Sequence, residues 1–257
     1  MAGDCLEVLR GFPEQRVDLI VTSPPYADRR PGGISPDEYT EWFMARATQF
    51  ARVLHPEGSF VLNIKENVIN GERSTYVIEL VLALRKAGWL WTEEYIWHKR
   101  NSMPGRWPNR LRDAWEHCYH FTLSRRFRMY QDAVRVPIGD WAERRMASLS
   151  EADMTRQSSR TGSGVAKRVA NWAGRTTVLP TNVLHFATES HNRGHHSAFP
   201  EALPEFFIKL FTEPGHLVLD PFCGTGTTCV VADRLGRDSV GIDVDKAVRL
   251  RPLPRLR

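Results

Sequence analysis

No apolar run in this sequence approaches the roughly 20 residues that span a bilayer. Met1 to Arg10 carries Asp4 and Glu7 and lacks the basic-then-apolar layout of a secretory leader. Cysteine is scarce. Cys5, Cys118, Cys223 and Cys229 form no C-x-x-C pair, which argues against a zinc site and a redox dithiol. So few thiols in a chain of 257 residues also argue against a disulfide framework. No internal repeat is visible. These absences lead to the expectation of a soluble, cytoplasmic protein with reduced thiols, no membrane association and no metal.

What is present is ordinary in amount and uneven in distribution. Hydrophobic residues make up 42% and charged residues 25%, enough for one elaborated domain with a sizeable core. From His98 to Asn182 there are 16 Lys/Arg against 7 Asp/Glu, in a chain whose net charge is only +5. Fourteen of those 16 cations are arginine, whose planar fork suits phosphates and guanine edges. A basic middle in an otherwise acidic chain points to a polyanion, with nucleic acid the leading candidate.

Val17-Asp18-Leu19-Ile20-Val21 reads as a buried strand, stopped at Thr22-Ser23-Pro24-Pro25. Helical spacing over Asp37 to Leu54 is followed by a strand at Ser59 to Ile64, and a helix is predicted over Thr75 to Lys86. Glu93 to His98 and Cys118 to Leu123 read as strands. After residues 125–182, where periodicity fades, come a helix at Phe206 to Phe211 and a strand at Leu217 to Asp220. A helix at Thr227 to Leu235 and a strand at Ser239 to Asp243 complete the pattern. Alternation on both sides of one irregular insert predicts an open, mostly parallel, doubly wound α/β (Rossmann-like) sheet. The expected parts are 1–124 and 183–257 as two halves of that sheet, with 125–182 inserted. The polar, basic, turn-rich run Arg156 to Gly164 is either a recognition segment or a disordered loop.

Two loops carry the chemistry. Asp220-Pro221-Phe222-Cys223-Gly224-Thr225-Gly226-Thr227-Thr228 lies between a strand and a helix. Its glycines permit a tight turn and close approach to a ligand. It lacks the third glycine of a dinucleotide fingerprint and the Gly-Lys-Thr ending of a triphosphate loop. About 18 residues past Gly224, Gly241-Ile242-Asp243 puts an acid where doubly wound folds bind a ribose. S-adenosylmethionine (SAM) has a ribose and an adenine but no pyrophosphate, which suits the shortened glycine pattern.

The second loop, Ser23-Pro24-Pro25-Tyr26, sits at the carboxyl end of a predicted strand. Were the substrate the amine of a nucleic-acid base, it would be a poor nucleophile, because its lone pair is delocalised into the ring. Acceptors around its two N–H bonds, the Ser23 hydroxyl and the Pro24 carbonyl stiffened by Pro25, would draw the nitrogen toward tetrahedral geometry and take its proton. Tyr26 could stack on the base, which is worth roughly 1–3 kcal/mol.

Asp-Pro-Phe-Cys-Gly-Thr-Gly-Thr-Thr resembles the SAM loop of the amino-group DNA methyltransferases, and Ser-Pro-Pro-Tyr resembles their catalytic motif. With the catalytic motif first in the chain, the order is similar to the permuted beta class. The resemblance also takes in Gly3-Asp4, Trp97-His98-Lys99 and His196-x-x-Phe199-Pro200-x-x-Leu203. It implies that Asp220, Phe222, Gly224, Thr225, Gly226 and Thr227 form the SAM loop and that Asp243 takes the ribose hydroxyls. Asp4 would contact the adenine, with Phe199 and Pro200 at the amino-acid end. The serine form of the motif is typical of cytosine-N(4) enzymes, and aspartate predominates in adenine-N(6) enzymes.

The implied partner is double-stranded DNA, with the target base flipped out to reach Ser23. Arg106, Arg110 and Arg112 would grip phosphates, and Arg156, Arg160, Lys167, Arg168 and Arg175 would contact the target sequence. A homodimer and a cognate restriction endonuclease enter by resemblance alone. An adenine-N(6) enzyme, or a catalytically silent DNA-binding protein on this fold, stays open. The family sheet has a further strand leading into the Gly3-Asp4 position. Lys246 to Arg257, broken by Pro252 and Pro254, leaves no room for it, so either that edge is absent or the natural ends lie elsewhere.

Overall fold

The structure is a computed structural model that describes residues 1–28, 32–102, 105, 107–139, 144, 148, 175–188 and 199–244. It divides into two compact units, Met1–Tyr130 with Asn182–Arg257, and Gln131–Thr181.

In chain order the first unit contains α1 (Cys5–Arg10), β1 (Val17–Thr22), α2 (Pro36–Val53), β2 (Leu54–Ile64), the small ribbon β3 (Val68–Ile69) and β4 (Glu72–Arg73), and α3 (Tyr76–Lys86). It continues with β5 (Leu90–Lys99) and β6 (Trp115–Thr122). In the second unit β7 (Val136–Pro137) pairs with β8 (Thr177–Val178). The first unit resumes with β9 (Val183–Phe186), α4 (Ala202–Phe211), β10 (Leu217–Asp220), α5 (Thr227–Arg234) and β11 (Asp238–Gly241).

Seven of these strands form one sheet in the order β11-β10-β1-β2-β6-β5-β9. Only β6 runs against its neighbours. The other four pairings are parallel, as the alternation of strands and helices predicts. Both halves of the chain therefore build a single sheet, with β10 and β11 from the far end of the sequence beside β1 from the near end. Besides the two-residue strands β3, β4, β7 and β8, helix α1 and strand β9 escape the periodicity reading. Helix α1 has only six residues, and β9 joins the outer edge with a largely exposed pattern.

Helices cover both faces. On one, Leu9 of α1, Phe43 and Phe50 of α2 and Leu80 and Leu84 of α3 share a core with Ile20, Phe60, Leu62 and Phe121 of the sheet. Phe60 lies at its centre, with ring centroids 5.4–6.4 Å from Phe43, Phe50, Trp89 and Phe121. On the other face α4 packs its Phe211 ring 4.4 Å from His120. Burial pushes that imidazole down to about 3, so it stays neutral and bonds Ser59 at 3.0 Å. A sheet buried on both sides explains why β1 and β10 read as nearly unbroken apolar runs.

Candidate active site

Strands β1 and β10 pair in parallel, Leu19 opposite Val218 and Ile20 opposite Leu219. Their carboxyl ends therefore open on the same side, the position where open α/β sheets place ligands. Ser23-Pro24-Pro25-Tyr26 leaves one strand there, and Pro221 to Gly226 leaves the other. The junction is tied directly. Thr22 Oγ1 donates to Asp220 Oδ1 at 2.6 Å, Thr228 Oγ1 donates to Oδ2 at 2.5 Å, and Phe222 N donates to Oδ1 at 3.2 Å. Asp220 is 1% exposed, and burial pushes its carboxyl up to about 6 against the pull of those three donors. It holds the loops together from behind.

The glycine loop turns through left-handed backbone at Gly224 (φ +47°) and Gly226 (φ +84°), which becomes the N-cap of α5. A side chain at Gly224 would meet nothing within 4 Å, so the loop faces open space there. Its back is tightly closed. A Cβ on Gly241 would lie 2.8 Å from Cys229 Sγ and 2.9 Å from Cys223 Sγ. Asp243 Oδ2 accepts from Gly224 N at 2.8 Å, so the acid expected at the ribose also braces the loop. Thr225 is exposed, and Thr227 half-buried at the start of α5.

Phe222 is half-buried, its ring 5.7 Å from that of Trp42, over which Arg46 stacks at 4.1 Å. Arg46 in turn bonds Asp4 Oδ2 at 2.6 Å, while Asp4 Oδ1 caps α1 through Leu6 N at 2.8 Å. Both Asp4 oxygens are thus engaged within the protein. Beside them Ala2 and Asp243 form an isolated parallel bridge. Phe199 is half-buried and Pro200 buried at the entry to α4, with the Pro200 carbonyl accepting from Leu203 N at 3.0 Å; His196 lies outside the described residues.

In the other loop Pro24 is buried, and Tyr39 donates its hydroxyl to the Pro25 carbonyl at 2.8 Å. Tyr26 Oη lies 3.5 Å from Ser23 Oγ and donates to Glu116 Oε2 at 2.7 Å. Glu116 is 7% exposed, paired through Oε1 with Lys99 Nζ, and its Oε2 also accepts from Asn63 at 3.2 Å. Burial, and then the Glu116 charge, hold the Tyr26 hydroxyl well above its ordinary range. Sequence reading singled out none of Glu116, Asn63 and Trp42. An acid inside the apolar strand Trp115-Glu-His-Cys-Tyr-His-Phe was the available signal for Glu116.

The DNA methylase family model matches residues 17–249. The chain belongs to the DNA methylase family. Among its relatives, the Type II methyltransferase M.PvuII of Proteus hauseri is 29% identical over 94% of this chain and 78% of its own length. M.XycI of Xanthomonas campestris pv. cyanopsidis is 28% identical over 95% and 82%. The solved structure of the cytosine-N4-specific PvuII DNA methyltransferase superposes with a TM-score of 0.73 at 26% identity, covering 96% of this chain and 82% of that one. An M1.HpyAVI–SAM complex shares the fold at 18% identity and a TM-score of 0.61, covering 96% and 93%.

On this DNA methylase the β5–β6 connection, residues 100–114, leaves the sheet at the same end as the two loops, because β5 runs parallel to β2. A cavity of about 530 Å³ there is lined by Trp107, Arg110, Leu111 and Arg112 among others. The Arg110 guanidinium lies 4.9 Å from the Trp107 ring centroid, and Arg112 is exposed. Arg175, in the second unit, is exposed as well. Arg106, Arg156, Arg160, Lys167 and Arg168 lie outside the described residues.

Asp220 gives a pH test with a definite sign. Its folded value of about 6 exceeds the ordinary 3.8, so the folded methylase holds the proton more tightly than the unfolded chain. Its contribution to stability therefore falls as pH rises from 4 to above 6, by up to roughly 3 kcal/mol. Urea unfolding of wild type and Asp220→Asn across pH 4–7 should show a stability difference that shifts in favour of the amide as pH rises. A constant difference across that range contradicts the assignment.

Proposed function

We propose that this methylase transfers a methyl group from SAM to the N(4) amine of cytosine in double-stranded DNA. The observation that carries the reading is the junction of the Ser23 turn and the Gly224–Gly226 loop at the ends of β1 and β10, held by Thr22, Asp220 and Thr228. The serine form of the motif and the likeness to a cytosine-N4-specific enzyme favour cytosine over adenine.

The loop residues suit SAM. Gly224 leaves its side-chain space open, Gly226 turns the loop through left-handed backbone into α5, Phe222 offers an apolar face, and Thr225 and Asp243 offer polar atoms. Phe199 and Pro200 belong to the same reading at the amino-acid end. Thr227 belongs to the SAM loop with Thr225, while Asp220 and Asp4 act from behind, shaping the loop and its neighbour α1. When bound, SAM supplies an electrophilic methyl group on a sulfonium centre. The chain's own task is at the amine. Ser23 Oγ and the Pro24 carbonyl accept its N–H bonds and orient the nitrogen lone pair, and the proton that must leave after methyl transfer passes by way of them to solvent. Tyr26 supports the flipped base. Orientation of this kind provides much of the rate when the methyl donor is already activated.

Residues 125–182 serve as the target-recognition segment, in which Arg156, Arg160, Lys167, Arg168 and Arg175 contact the target sequence. Arg106, Arg110 and Arg112 grip phosphates. A homodimer, a cognate restriction endonuclease and a cytoplasmic location belong to the same reading and rest on resemblance.

Incubation with plasmid DNA and SAM, followed by mass analysis of nucleosides, should yield N(4)-methylcytosine. N(6)-methyladenine would transfer the reading to adenine, and no methylated base would end it. Ser23→Ala should lower turnover at least about 100-fold while SAM binding persists. DNA affinity should also fall steeply between 50 and 200 mM salt as arginine–phosphate contacts release counterions. A flat response removes the basic middle from the DNA face.

A further inference from the structure

We propose that Glu116 sets the direction of hydrogen bonding at the Ser23-Pro24-Pro25-Tyr26 turn, and so keeps the Ser23 lone pairs open to the incoming amine. The inference rests on the reading of that turn as the site of methyl transfer. It makes Glu116 a positioning residue, acting through Tyr26.

A carboxylate accepts hydrogen bonds and donates none. Glu116 is buried in strand β6 with its Oε1 on the Lys99 ammonium and its Oε2 shared by Asn63 and Tyr26. The Tyr26 proton must therefore point at Glu116. Tyr26 Oη is then left with lone pairs only on the side facing Ser23 Oγ, 3.5 Å away. The single Ser23 proton turns inward to meet them, and the Ser23 lone pairs stay free to accept an N–H from a base. With the order reversed, Tyr26 would donate to Ser23 and fill one of those lone pairs. Ser23 would then compete poorly for the amine.

Lys99 is the second part of the device. A lone buried carboxylate would be costly, and the ion pair makes it tolerable. The ammonium also fixes which oxygen is left for Tyr26. It lies 4.9 Å from the Trp97 ring centroid, which further restricts its position. Asn63, whose Nδ2 also donates to the His117 carbonyl at 3.0 Å, keeps the carboxylate in register with strand β2.

Glu116→Gln preserves shape and inverts the logic. The Lys99 ammonium requires the amide carbonyl, so the amide N–H₂ faces Tyr26 and makes the tyrosine an acceptor there. Turnover should then drop about 10- to 30-fold, the value of one misdirected hydrogen bond. The Kd values for SAM and DNA should stay within about twofold. In a Tyr26→Phe background, where the relay is already cut, Glu116→Gln should cost nothing further.

An active wild type with an unaffected E116Q variant overturns the inference alone. So does the same loss in both backgrounds, which marks a plain structural clamp between β6 and the turn. A wild type that moves no methyl group overturns the functional reading and this inference together. If E116Q fails to fold by circular dichroism, Tyr26→Phe alone decides. A fall in kcat with KM for DNA unchanged supports the relay, and an unchanged kcat refutes it.

Discussion

One buried carboxylate, Asp220, holds the two working loops of this methylase together. Thr22 reaches it from the end of β1, Thr228 from the first turn of α5, and Phe222 N from its own loop. A buried carboxyl with these donors removed would cost several kcal/mol, so the contacts are hard to break one at a time. Thr22 and Asp220 are 198 residues apart in the chain. Parallel pairing of β1 and β10 puts them side by side, and the carboxylate fixes how the loops meet.

From that junction the site divides its labour by rigidity. Behind the loops the packing is close. Gly241 is pressed against two sulfurs, Asp4 against Arg46, and Tyr39 against the Pro25 carbonyl. In front, Gly224 opens onto free space and Thr225 onto solvent. Such a layout suits a reaction whose methyl donor arrives activated, since the protein need only hold two ligands in line. The Glu116–Lys99 pair extends the same design to protons, fixing where hydrogens point as the backbone fixes where atoms lie.

Much of this was legible in the sequence because the signals are local. Val17–Val21 and Leu217–Asp220 are apolar on both faces and end at prolines, so their existence and bounds follow from sterics and burial. The loop motifs follow each strand immediately. Contacts between distant side chains were harder to read. Glu116 lay outside the strand predicted at Cys118 to Leu123, and its place depends on β6 starting at Trp115 and bringing it to Tyr26. Asp4 was read as a ligand contact, yet its first duty is to cap a six-residue helix too short to show periodicity. Strand β9 escaped notice because an edge strand with Val183 and His185 exposed leaves little apolar pattern.

The central claim is that the serine turn and the glycine loop form one pocket around a single methyl path. A crystal structure of the protein with S-adenosylhomocysteine tests it most directly, through the separation of the ligand sulfur and Ser23 Oγ. The account predicts that the sulfur faces Ser23 across room for one methyl and one amine, two steps of about 3–3.5 Å each. A sulfur directed away from Ser23, or shut off from it by protein atoms, would contradict it.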